Sequence, residues 1–101
     1  MGQLIEVEHL VMGEVAIFDT DRSFSGQDGE TFTSEESATA AGTYPGLVAA
    51  ALLAHDDAVN SVYVYSNTIS ARRRGEWSPD QAEAAAIVIR NFLVYYEENR
   101  D

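Results

Sequence analysis

The strongest constraint on this chain is the order in which two kinds of periodicity alternate along it. Ile5-Glu6-Val7-Glu8-His9 alternates apolar and polar residues, the period of a half-buried strand. Met12-Gly13 suits a turn, and Glu14 to Phe18 returns with Val15 and Ile17 on one face and Ala16 and Phe18 on the other. Asp19-Thr20-Asp21 ends that strand, a loop covers Ser25-Gly26-Gln27-Asp28-Gly29, and Thr31-Phe32 briefly extends the sheet. A second strand pair runs from Val59 to Arg73. In it Val62 and Val64 alternate with Tyr63 and Tyr65, Ser66-Asn67 makes the turn, and Ile69 and Ala71 face inward.

Between and after these pairs the period changes to that of a helix. Thr33-Ser34-Glu35-Glu36 reads as a capping box, with Thr33 as N-cap and Glu36 reaching back, for a short helix that stops by Gly42. Pro45 suits the first turn of the next helix, where its missing N–H costs nothing. That helix runs to about Ala54 and is apolar nearly all round, so it is expected to be deeply buried or to face a partner. Ser78-Pro79-Asp80-Gln81 is the clearest local signal: a cap, a proline at the first helical position, an acid at the positive helix end and a glutamine that closes the box. Behind it Ala82, Ala85, Ala86, Ile89, Phe92, Leu93 and Tyr96 form one apolar stripe. The expected fold is α+β, a single domain over residues 1–101. An antiparallel sheet of about four strands carries two main helices on one face, in ββαββα order with a short extra helix before the first main one.

Charge limits the partners. The chain has 17 acidic residues against 6 basic ones, a net charge of −11, and every basic residue is Arg. Such a charge repels nucleic-acid phosphates and anionic membranes, so neither is expected as a partner. The acids are scattered from Glu6 to Asp101, which leaves two readings open: a surface suited to high salt, or an acidic interaction face. There is no Cys, so the chain itself offers no disulfide, thiolate ligand or thiol nucleophile. The stretch from Leu47 to Ala54 is too short to span a bilayer, and the N-terminus lacks the basic start and apolar run of a signal peptide. A cytoplasmic location is expected.

Candidate chemistry is sparse. His55-Asp56-Asp57 is the one His/acid cluster, but a metal site needs three or four converging ligands, so a helix end is the simpler reading. His9 shares a strand face with Ile5 and Val7, and Glu6, Glu8 and Glu14 read as the wet side of a hairpin rather than an acid–base pair. No nucleophile elbow occurs, and Gly26 and Gly29 lack the Lys of a phosphate loop. No catalytic residue, metal or cofactor is therefore expected. Arg72-Arg73-Arg74 with Trp77 could instead grip a partner, since Arg and Trp are favoured binding anchors, or form ion pairs within the chain. Tyr63 and Tyr65 project opposite Val62 and Val64 and lie exposed if helices cover only one face; protein contact or a partly covered sheet suits them better than base stacking, given the charge. Tyr95 and Tyr96 are simplest as helix packing.

Several of these strings, in this order, resemble the N-terminal domain of Nfu/NifU-type iron–sulfur scaffold proteins. Ile5-Glu6-Val7-Glu8 and Val15-Ala16-Ile17-Phe18 resemble its opening strands, and Phe32-Thr33-Ser34-Glu35-Glu36-Ser37-Ala38 its Phe-Ser-Ser-x-Glu-Glu-Ala segment. Pro45 to Leu53 resembles its Pro-Leu-Ala-x-x-Leu-Phe helix. Val59 to Val64 and Thr68-Ile69-Ser70-Ala71 resemble its later strands, and Trp77 stands where the family has a Trp before the last helix. The family's Thr-Pro-Asn-Pro-Asn signature is replaced by His9-Leu10-Val11-Met12-Gly13, and the cluster-binding Cys-x-x-Cys module is absent. The resemblance thus implies a non-enzymatic accessory domain that meets protein partners, among them iron–sulfur assembly proteins. An acidic decoy of a nucleic-acid-binding protein is the alternative, its sign being acids gathered on one face. An enzyme with an unrecognised site would show a deep pocket holding His9 or His55 beside an acid.

Overall fold

The first strand runs on to Met12, and the turn falls on Gly13-Glu14 rather than Met12-Gly13. In a computed structural model, which describes residues 6–20 and 29–98, β1 (Val7–Met12) pairs antiparallel with β2 (Val15–Thr20). Next come β3 (Glu30–Phe32), α1 (Glu35–Ala41), α2 (Tyr44–His55), β4 (Val59–Tyr65), β5 (Thr68–Arg73) and α3 (Pro79–Glu98). The expected loop over Ser25 to Asp28, the residue Ile5 and the side chains of Tyr95 and Tyr96 lie outside what is described.

The α+β class, the strand pairs and the helix order are as expected. The sheet has five strands rather than about four, because the short segment at Thr31-Phe32 pairs fully with β4. All neighbours are antiparallel and the order is β1-β2-β5-β4-β3, so the two hairpins meet through β2 and β5 at the centre.

Helix starts follow local chemistry. Ser34, not Thr33, caps α1: its Oγ accepts from the Ser37 N–H at 3.1 Å. Both residues can cap, and the one chosen places Glu35 and Glu36 in the first turn against the positive helix end. Thr43 caps α2 through the Gly46 N–H at 3.1 Å, with Pro45 in the first turn. Gly46 also lets α1 approach, since a Cβ there would stand 2.6 Å from the Ala38 carbonyl oxygen. The box at α3 forms as read: the Gln81 N–H donates to Ser78 Oγ at 3.1 Å and the Ser78 N–H to Gln81 Oε1 at 2.9 Å.

One face of the sheet carries the core. Ala16 and Phe18 of β2, Val62 and Val64 of β4, and Ile69 and Ala71 of β5 are fully buried under Val48 and Leu52 of α2 and Ile89 and Leu93 of α3. The apolar α2 is buried as expected, packed on α1, α3 and β4. A bulge at Asn60, where Val59 pairs with Arg73 and Ser61 with Arg72, turns Val59 to the core side although it lies three residues from Val62. At the second turn the positive φ falls on Ser66 (56°) rather than Asn67. Asn67 instead ties the turn to the end of β2: its Nδ2 donates to the Thr20 carbonyl at 2.8 Å, and the Thr20 N–H donates back to the Asn67 carbonyl at 3.0 Å.

Candidate functional site

No described helix covers the other face of the sheet, and its residues fall into rows by the strand register. One row reads Glu8, Asp19, Thr68, Tyr65 across β1, β2, β5 and β4. The next reads Leu10, Ile17, Ser70, Tyr63 and ends at Thr31 of β3. The third reads Met12, Val15, Arg72, Ser61. Leu10 is 60% exposed, Met12 53%, Tyr63 42% and Tyr65 45%, which makes this face the main site of exposed large apolar side chains. Tyr63 and Tyr65 are where the alternation of β4 puts them, opposite Val62 and Val64.

The two tyrosine rings are nearly parallel, 8° between planes and 6.4 Å between centroids. Gly29, just before β3, makes room for this. A Cβ there would overlap the hydroxyl and ring of Tyr63, so the ring lies over bare backbone at the sheet edge. Neither Gly29 nor the parallel pair is marked in the sequence by anything beyond the strand alternation.

The arginine run divides three ways. Arg72 stands on the open face and reaches Glu14 at 3.7 Å, both side chains being more than half exposed. Arg73 turns inward: its Nε reaches Asp56 Oδ2 at 3.3 Å, its Nη1 donates to the Glu76 carbonyl at 2.9 Å, and its guanidinium lies 5.6 Å from the centre of the Trp77 ring. Arg74 Nη2 donates to the Asp57 carbonyl at 3.3 Å. Trp77 is 5% exposed, meets Phe18 edge-on at 6.0 Å, and donates from Nε1 to the carbonyls of Glu14 at 3.0 Å and Ala71 at 3.2 Å. Its own N–H donates to the Gly13 carbonyl at 3.0 Å. Trp77 and Arg73 thus join the first turn, the end of β5 and the α2–β4 connection, and little of Trp77 is left for a partner to touch.

The imidazoles stand apart. His55 ends α2, where Asp56 accepts from the Ala58 N–H at 2.9 Å and pairs with Arg73, so the His/acid string is used as a helix end. His9 faces α3, 6.2 Å from the Phe18 ring, in an open cleft of about 220 Å³ lined by Val7, His9, Glu83, Ala86, Ile87 and Arg90. His9, Glu83 and Arg90 are all exposed there. Among the described residues no group of three or more His, Asp or Glu side chains converges as metal ligands, and no helix is long and apolar enough to cross a membrane. Exposed acids stand on β1, the first turn, β2, α1, the α2–β4 and β5–α3 connections and α3. No family model matches the chain, and no curated protein or solved structure is significantly similar to it.

Proposed function

We propose that this chain is a non-enzymatic, cytoplasmic protein-binding domain whose contact surface is the uncovered face of the sheet. The observation that carries the reading is the row Leu10, Ile17, Ser70, Tyr63 with Met12 and Tyr65 beside it, apolar and aromatic side chains held in register on a face that no described helix covers. A sheet buries its apolar faces against another layer, and large side chains clustered on a bare face mark interaction sites. Tyrosine adds contact area at low entropic cost and keeps a polar tip for hydrogen bonding.

Of the residues picked out as partner contacts, Tyr63, Tyr65 and Arg72 belong to this surface. Arg73 and Trp77 act from behind it by tying the first hairpin to the end of β5, and Arg74 is bonded to the α2–β4 connection. The acidic decoy predicts acids gathered on one face, whereas those described are spread over every layer, which favours a protein contact made by the sheet. The resemblance to Nfu/NifU N-terminal domains makes iron–sulfur assembly proteins the first partners to try.

The test is affinity co-purification from the native host at native salt, with the Tyr63→Ala/Tyr65→Ala variant beside the unaltered chain. A partner retained by the unaltered protein and lost from the variant supports the reading. A partner retained equally by both, or lost only when acids on α1 are neutralised, moves the contact off this face.

A further inference from the structure

The open face carries its own statement about charge. Glu8 and Asp19 are directly opposite each other across β1 and β2, on the uncovered side, and both are exposed. Like charges so placed destabilise an antiparallel pair. Asp19 accepts one hydrogen bond, from Thr68 Oγ1 at 2.8 Å. The ion pairs among the described residues are Arg72–Glu14 and Arg73–Asp56, so no described cation neutralises either carboxylate. In the same row, two strands further on, stands Tyr65, and beside it the parallel ring of Tyr63. Carboxylates in one row with the Tyr65 ring, which the Tyr63 ring of the next row parallels, form a seat for cations, since carboxylates and aromatic faces both attract positive charge.

Size narrows the occupant. Four strands about 20 Å long and the three-residue β3, at about 4.8 Å spacing, give a face of about 430 Å². A standard interface buries about 800 Å² on each partner, so this face suits one docked segment better than a broad globular surface. A second copy of the chain brings another net charge of −11 against the same carboxylates.

Resting on the open face as the contact surface, we propose that its occupant is a cationic amphipathic segment of a partner protein. An arginine of that segment lies against the Tyr63–Tyr65 pair, a second cation bridges Glu8 and Asp19, and apolar side chains cover Leu10, Met12 and Ile17. Arginine fits the ring pair better than lysine because its guanidinium is planar, stacks on aromatic faces and is weakly hydrated. Single-stranded RNA, which also stacks on aromatic pairs, brings phosphates to an acidic row.

The test is a side-chain-resolved NMR titration of the full chain with four probes. Three are amphipathic peptides of one length with a leucine face and arginine, lysine or glutamate on the other; the fourth is oligouridine. The arginine peptide is expected to shift resonances of the open face and to bind several-fold tighter than the lysine peptide. Glu8→Gln/Asp19→Asn and Tyr63→Ala/Tyr65→Ala should each weaken it about tenfold. Glu35→Gln/Glu36→Gln on α1 removes the same charge from a remote helix and should change affinity less than about twofold. An equal loss in that control overturns the proposal, as does oligouridine at the tyrosines or no binding of the arginine peptide at about 1 mM. The glutamate peptide settling on the open face sinks the cation seat but leaves the face as a contact surface. Shifts spread over α1 and α3 instead sink both.

Discussion

Tyr63 and Tyr65 stand two residues apart on β4 with ring planes 8° from parallel, on the side of the sheet that no described helix covers. Neither ring contributes to the core, so replacing both with alanine is expected to change unfolding free energy by about 1 kcal/mol or less. Chemical denaturation measures that change, and binding isotherms of the same protein measure the loss of partner. Loss of binding with the fold intact is the expected result.

Gly29 sets the position of Tyr63. In Gly29→Ala the new methyl displaces the ring, which swings aside because a tyrosine side chain is free to rotate at the surface. The expected outcome is a fold stability within about 0.5 kcal/mol of the parent and a several-fold weaker partner affinity. Denaturation and calorimetric titration separate the two effects.

Adjacent arginines should behave differently. Arg72 and Glu14 are 58% and 53% exposed, so Arg72→Ala is expected to cost less than about 0.5 kcal/mol. Arg73 and Asp56 are 12% and 24% exposed, and Arg73 also caps the Glu76 carbonyl and covers Trp77. Arg73→Ala is expected to cost about 1–3 kcal/mol, read from urea midpoints at constant slope.

Trp77→Phe keeps an aromatic ring beside Phe18 but removes the indole donor shared by Glu14 and Ala71. A stability loss of about 1–3 kcal/mol is expected, with partner affinity unchanged where the protein remains folded. A larger effect on binding than on stability would place Trp77 in the contact after all.

Much of the fold was legible because it is local. The Ser78–Gln81 box, the alternation of Val62 with Tyr63, and the apolar run from Leu47 to Ala54 each carry their meaning within a few residues. What was not legible depends on partners distant in the chain. Val59 turns inward only because β5 pairs around the bulge at Asn60. The cap of α1 is a local exception: Thr33 and Ser34 both offer a capping oxygen, and the sequence alone does not choose between them. Trp77 beside three arginines reads as an anchor for a partner or as part of a strand end with its own ion pairs; that it is a buried brace follows from its carbonyl partners, Glu14 and Ala71, which come from different strand ends. Tyr63 and Tyr65 were identifiable by alternation, but the opposing carboxylates of Glu8 and Asp19 emerged only with the register of β1 on β2.

The net charge of −11 gives a further expectation. Screening shortens from about 10 Å at 0.1 M salt to about 3 Å at 1 M, so self-repulsion in the folded state weakens as salt rises. The thermal midpoint should increase by about 5 °C or more over that range, followed by circular dichroism.

A partner is proposed to sit on the face of the sheet that no described helix covers. Hydroxyl-radical footprinting of the complex against the free chain tests it most directly, because it reports side chains rather than backbone. Protection is expected at Leu10, Met12, Tyr63 and Tyr65, with Ile87 and Val94 on α3 reacting as in the free protein. Protection at Ile87 and Val94 with Tyr63 and Tyr65 still reactive would contradict it.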